Sequence, residues 1–306
     1  MPRLHFPARA FPLALLLTPL LASACGDASP EPEDELRPTV VTSIFPMGDL
    51  LQWMVGEEAN VEVLLPVGAS PHTFEVTPRQ MQSLQGAGIF VMIGGGLDEW
   101  VARLPGASGG EAVVLRLADV VPLVSGGHDH GSGNPHIWLD PILVRDRILP
   151  VLQGALEEHL SLAPEGLEER TRALRDSLTV LDQEIRGALD PLEKRAFVAA
   201  HPAWIYFAER YGLEEVGVVH SHSGMDPSSR ELAHLLEVAR ARGVDCVFME
   251  PQMGEVAVQA LASELARPTC ILDPLGGPGL EERDGYLQLL RFNTRQFVLG
   301  LGQGQE

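Results

Sequence analysis

Twice along this chain, short β-branched runs alternate with helical stretches, and from about residue 141 to residue 190 no strand-like run occurs at all. The first series holds PTVVTSIF, VEVLLP, GIFVMIG and AVVLRL, with helical stretches expected at 48–55 and 78–86. The second holds RAFVAA, VGVV, VDCVFM and TCILD, with helices expected at 203–211, 229–242, 255–266 and 285–299. Strand and helix in alternation predict parallel sheets with covered faces. Between the series lie a helical stretch at 142–160, a break at Pro164 and a second stretch at 165–189. The second stretch places Leu167, Leu174, Leu178, Leu181 and Ile185 at steps of three and four residues, one apolar stripe of a helix. At 1.5 Å per residue it spans roughly 38 Å, enough to cross a small domain. The expected fold is α/β: two parallel-sheet lobes, 38–141 and 191–306, joined through a helical connection at 142–190 that contains one long rigid helix.

The first residues concern where the chain works. Arg3 and Arg9 make a positive start, Phe11 to Leu21 is apolar but too short to span a bilayer, and Leu-Ala-Ser-Ala precedes Cys25. Residues 1–24 therefore read as a lipoprotein signal, with Cys25 as the lipidated new N-terminus; an ordinary secretory peptide cut nearby is the alternative. Residues 25–37, rich in Pro and acid with little to bury, are expected to be a disordered acidic tether.

With 22 basic and 42 acidic residues the formal charge is -20, a field that repels phosphate backbones and excludes nucleic acid as a partner. Cys246 and Cys270 sit inside apolar strand-like runs. Export permits a disulfide between them, and two buried thiols fit equally well.

Three histidines and one aspartate end apolar, β-rich segments: His72 in GASPHTFE, His136 in GNPHIWLDP, His201 in FVAAHPAWIYF and Asp273 in CILDPLGG. Imidazole nitrogens with one carboxylate suit Zn²⁺. Residues so far apart meet only where several strand ends converge, which is the crevice beyond the carboxyl ends of parallel strands. Each has a plainer reading, a core histidine or, for Asp-Pro-Leu-Gly, a turn. Glu75, three residues after His72, is either the acceptor that orients a ligating imidazole or a solvated loop acid. Asp140 before Pro141 is expected to cap a helix and stays out of the metal shell. His128 and His130 in SGGHDHGSGN form either a loose auxiliary metal site or a flexible loop, and His220 and His222 read as structural loop histidines. A zinc-dependent hydrolase is the rival from another class, with Glu250 or Glu75 as general base. The chain lacks HExxH and a nucleophile elbow, and a fourth protein ligand closes the position that water needs.

In chain order, VVTSIFPMGDL, LLPVGASPHTFEVTPRQ, NPHIWLDP, the His201 segment ending in YFAERYGL, VFMEPQM and ILDPLGG resemble the zinc- or manganese-specific ABC-transporter solute-binding proteins (cluster A-I), from Val40 to Gly300. The resemblance implies one metal in the cleft between the lobes, the ligand set His72, His136, His201 and Asp273, and delivery of the ion to a membrane permease. It also implies that a histidine at the third ligand position marks the zinc branch and a glutamate the manganese branch. Hardness agrees, because a second carboxylate suits Mn²⁺ better than a third imidazole does. The expectation is therefore a non-enzymatic, monomeric, extracytoplasmic lipoprotein, periplasmic or on the cell surface, that captures Zn²⁺; a manganese-binding member of the same family is the alternative.

Overall fold

The computed structural model describes residues 37–83, 86–104, 112–125, 133–160, 162–220 and 225–302. The first sheet contains β1 (Thr39–Thr42), β2 (Asn60–Val63), β3 (Ala87–Met92) and β4 (Val113–Arg116), all parallel, in the order β2-β1-β3-β4. Helix α1 (Phe45–Val55) carries β1 to β2, and α2 (Pro78–Ser83) lies between β2 and β3. Proline sits in the first turn of α1, where a missing N–H costs nothing, and Gly56 ends the helix at φ 59, a conformation that suits glycine.

The connection departs in one detail from the single helix expected at 142–160. It is an α-turn α3 (Pro141–Leu143), a π-turn at Val144–Ile148 and then α4 (Leu149–His159). Pro150 has no N–H to give to the carbonyl four residues back, and the helical ladder loosens just before it. Asp140 caps this segment as expected, its Oδ1 accepting the Ile142 and Leu143 N–H groups at 2.8 and 3.0 Å. Next comes the long helix α5 (Pro164–Leu189), 26 residues.

The second sheet repeats the plan of the first. Strands β5 (Ala196–Ala199), β6 (Glu214–Val218), β7 (Val247–Met249) and β8 (Thr269–Ile271) are parallel in the order β6-β5-β7-β8. Helices α6 (Ile205–Tyr211), α7 (Ser229–Ala241) and α8 (Glu255–Leu265) connect them, and α9 (Tyr286–Gly302) closes the fold. A capping box starts α7, with Ser228 and Glu231 each satisfying the other's backbone N–H. Cys246 and Cys270 are joined in a disulfide with Cα atoms 6.2 Å apart, which decides between the two states open at the sequence level and ties β7 to β8.

Helix α5 belongs to both lobes. It packs on α1 of the first and α9 of the second, and its buried stripe is the five residues expected plus Thr171 and Leu189. Polar contacts pin each end: Arg170 reaches Met54 O at 2.7 Å and Glu58 Oε1 at 2.5 Å, and Arg291 of α9 reaches Glu184 at 2.8 Å. One apolar cluster runs from Val40 and Met47 through α5 to Phe297. The lobes therefore share a core, and the loops leaving β2, β4, β5, β7 and β8 are held on a stiff frame. No described helix is long and apolar enough to cross a membrane.

Candidate metal centre

His136 sits in the loop after β4, and its neighbour Asn134 organises that loop. The Asn134 amide nitrogen donates to Pro202 O at 2.5 Å, and a carbonyl can only accept, so Oδ1 is the atom turned to His136. That oxygen takes the His136 backbone N–H at 3.0 Å and stands 2.9 Å from Nδ1. Nδ1 therefore carries the proton, and the lone pair is on Nε2. Tyr206 holds the loop from the second lobe, its hydroxyl donating to Asn134 O at 2.7 Å and accepting from Val124 N at 3.0 Å. Beyond His136, Trp138 donates from Nε1 to Pro274 O at 2.7 Å, and the Tyr286 hydroxyl donates to Trp138 O at 2.6 Å.

His201 lies two residues beyond the end of β5 and is 5% exposed. Its Nδ1 lies 2.6 Å from Oε2 of Glu250, the residue that follows β7, and Glu250 Oε1 accepts from Trp204 Nε1 at 3.1 Å. The opposite edge of the ring faces the other lobe, with Nε2 3.2 Å from Nε2 of His136. His72, in the loop after β2, completes the group: its ring centroid is 5.5 Å from that of His136 and 5.8 Å from that of His201, and one nitrogen from each of the three rings falls within 4.8 Å of the others. Together with Trp138, Met253 and Leu275 they wall a space of about 10 Å³, roughly one water-sized sphere. A single ion fits there and an organic substrate does not. The larger hollow of about 410 Å³ beside α1, among Phe45, Val61, Leu65 and Val67, has mostly apolar walls and a single carboxylate, that of Asp49, which accepts the Tyr286 N–H.

The structure does not bring the fourth expected ligand into this cluster. Asp273 Oδ1 accepts from Gln252 Nε2 at 2.9 Å and from the Leu275 and Gly276 N–H groups at 3.0 Å each, and Oδ2 pairs with Arg283 at 3.0 Å. The Asp-Pro-Leu-Gly turn and a guanidinium together hold a carboxylate that the sequence alone assigned to metal. Glu75 is exposed on its loop, whereas the groups seen behind imidazoles are Asn134 and Glu250. Sequence reading missed Asn134 altogether and weighed Glu250 only as a general base. Glu250 is fully buried on the Nδ1 side of His201, behind the ring edge opposite the one that faces His136. Buried His220 places its nitrogens 3.2 and 3.3 Å from Met225 O and Gly254 O, bracing loops as expected. Cys25, His128, His130 and His222 lie outside the described residues.

Comparison with known proteins places this geometry. The chain is 28% identical over 295 residues to the high-affinity zinc uptake system protein ZnuA of Bacillus subtilis (strain 168), covering 90% of this chain and 92% of that protein. It is also 26% identical over 306 residues to the manganese-binding lipoprotein MntA of Halalkalibacterium halodurans, covering 96% and 98%. A crystal structure of ZnuA, 26% identical, superposes with a TM-score of 0.77 over 86% of this chain and 99% of that one. The family described as zinc-uptake complex component A, periplasmic (ZnuA), matches residues 40–300, and the chain belongs to it: a metal-binding solute-binding protein of a metal uptake system and not an enzyme.

Proposed function

We propose that this chain captures Zn²⁺ outside the cytoplasmic membrane, tethered by lipid on Cys25 as a monomer, and delivers it to an ABC permease for high-affinity uptake. The observation that carries the choice of cargo is the 3.2 Å between His136 Nε2 and His201 Nε2. Two nitrogens bound to one tetrahedral zinc at 2.0–2.1 Å stand about 3.3–3.4 Å apart, so the two imidazoles are already spaced as zinc ligands. With His72 they supply three borderline nitrogen donors, a set that favours Zn²⁺ over the oxygen-preferring Mn²⁺. Manganese is the second reading, favoured by the similarity to a manganese-binding lipoprotein.

His72 and His136 come from the first lobe and His201 from the second, so one ion is held by loops of both lobes. The three imidazoles carry most of the affinity. Asp273 takes the fourth position only by exchanging Arg283 and Gln252 for the metal, and that exchange offsets much of what a fourth ligand contributes. Metal content by mass spectrometry on protein purified without added metal, followed by competition between Zn²⁺ and Mn²⁺, tests the reading. One tightly held zinc per chain that manganese does not displace is expected. Manganese held in preference overturns the cargo.

A further inference from the structure

Behind His201 the second lobe holds an arrangement that metal ligation alone does not explain. Glu250 is a fully buried carboxylate, 1% exposed, and its two oxygens have separate addresses: Oε1 accepts the Trp204 indole N–H at 3.1 Å and Oε2 lies 2.6 Å from His201 Nδ1. Trp204 is itself fully buried, on the same turn as His201, and its ring packs edge-on against Phe207 and Phe297. The indole thus fixes the carboxylate, and the carboxylate faces the imidazole. A buried carboxylate is costly unless it is paired. Of the two groups described against it, the indole and the imidazole, the one able to meet its charge is the ring that faces the other two histidines.

We infer that Glu250 is a positioning residue for zinc, one that acts through His201: it holds the proton on Nδ1, aims the Nε2 lone pair at the space between the three imidazoles, and sets a negative charge one ring away from the cation. The inference rests on the zinc-capture reading above. A dication held by three neutral imidazoles keeps its full charge of +2, and the Glu250 carboxylate compensates part of it from behind without occupying a ligand position. Borderline nitrogen donors and charge balance are thereby obtained together, whereas a carboxylate in the shell itself would give the balance at the cost of hardening the site toward manganese. His136 makes the contrast. Its Nδ1 faces the neutral Asn134 amide oxygen, so the first lobe orients its ligand without adding charge, and the charged support comes from the second lobe alone. A neighbouring carboxyl, Glu215, accepts the Trp204 backbone N–H and is pushed up to about 8, by burial first and by the Glu250 charge second.

The test compares Glu250→Gln, Glu250→Met, Glu215→Gln and His201→Ala with the full chain, by zinc affinity in chelator competition, the visible spectrum of the Co²⁺-loaded protein, and melting without added metal. Gln keeps an acceptor for Nδ1 and loses the charge; Met loses both. Zinc affinity should fall in the order wild type, Glu250→Gln, Glu250→Met, with a total loss of about 10–100-fold. The cobalt bands should shift in both variants, while Glu215→Gln stays near wild type in both readouts. Melting without metal should be unchanged or raised in Glu250→Gln, since a buried charge is removed, so any lost affinity is not lost folding. Should Met fail to fold, the isosteric Gln variant carries the test alone. Wild-type zinc affinity and an unshifted cobalt spectrum in Glu250→Gln, alongside a large loss in His201→Ala, overturn the inference and leave the site intact. Wild-type zinc affinity in His201→Ala overturns the site reading itself, and the inference with it.

Discussion

The Nε2 atoms of His136 and His201 face each other at 3.2 Å, from loops that belong to different sheets. With Asn134 and Glu250 beside the two Nδ1 atoms, both lone pairs point into the same small space. Two lone pairs at this distance repel unless a proton or a cation lies between them. A bound ion removes the repulsion, and this makes the pair a stronger determinant of cation binding than either histidine alone.

Removing any one of the three imidazoles should therefore weaken zinc by more than the roughly 10–100-fold that loss of an outer partner costs. His72→Ala, His136→Ala and His201→Ala are expected to fold. The zinc-induced stabilisation, about 4 kcal/mol in wild type at a thousandfold excess over Kd, should largely vanish in each. Chelator competition and thermal melts with and without zinc check this, and a double His128→Ala, His130→Ala variant should retain the tight site.

Asp273→Ala should behave differently. Its carboxylate accepts two backbone N–H groups and pairs with Arg283, so its loss leaves donors unmet and lowers stability by about 1–3 kcal/mol. The fall in zinc affinity should be smaller than for any of the three histidines. Calorimetry on the same preparations separates the two effects, and a loss of affinity equal to that of His201→Ala would make Asp273 a full member of the shell.

Glu215 gives the stability a pH dependence of known sign. Burial raises its folded-state value to about 8 from an ordinary 4.5, so between these values the folded chain holds a proton that the unfolded chain has lost. Stability contributed by this group is fully present below pH 4.5 and is lost as pH rises toward 8, with a slope of at most about 1.4 kcal/mol per pH unit. Denaturant melts of Glu215→Gln against wild type between pH 5 and pH 8 should show a flatter fall in the variant, and parallel curves would contradict the assignment.

The disulfide closes a segment of 24 residues and should contribute about 3 kcal/mol, chiefly by restricting the unfolded chain. Cys246 precedes Glu250 by four positions and Cys270 precedes Asp273 by three, so the bond also fixes the strands that carry these groups. Reduction, or a Cys246→Ala, Cys270→Ala variant, should lower the melting temperature while leaving one zinc per chain.

Much of this was legible because it rests on local pattern. Alternating β-branched and amphipathic runs mark the two sheets, and the stripe from Leu167 to Ile185 marks the helix that joins them. The three clustered histidines stand in loops beyond the ends of parallel strands, which is where such sheets bind. What escaped depends on direction and partner. Glu250 and Asn134 look like ordinary polar residues in FMEPQM and GNPH, and only the fold shows that one faces the Nδ1 of His201 and the other that of His136. Asp273 differs in the opposite sense: the motif advertises a free carboxylate, while Arg283, ten residues on, pairs with it through a turn that no periodicity reveals. The π-turn before Pro150 was missed because apolar spacing reports the face of a helix and not its hydrogen-bond ladder.

The last prediction concerns selectivity and couples His201 to Glu250. Replacing His201 with Glu exchanges a borderline nitrogen for a hard oxygen and takes the three-ligand site from a formal +2 to +1, which favours manganese. The new carboxylate, however, stands where Nδ1 lay 2.6 Å from Glu250 Oε2, so two buried carboxylates meet and one must take up a proton. His201→Glu alone should therefore bind both metals poorly and shift their ratio little. The double variant His201→Glu, Glu250→Gln relieves the clash and should narrow the zinc-to-manganese preference further. Because zinc stands above manganese in the Irving–Williams order, full inversion is not expected. Paired calorimetry of both variants with both metals decides the point: if His201→Glu alone narrows the ratio as much as the double variant does, Glu250 does not act through the third ligand position.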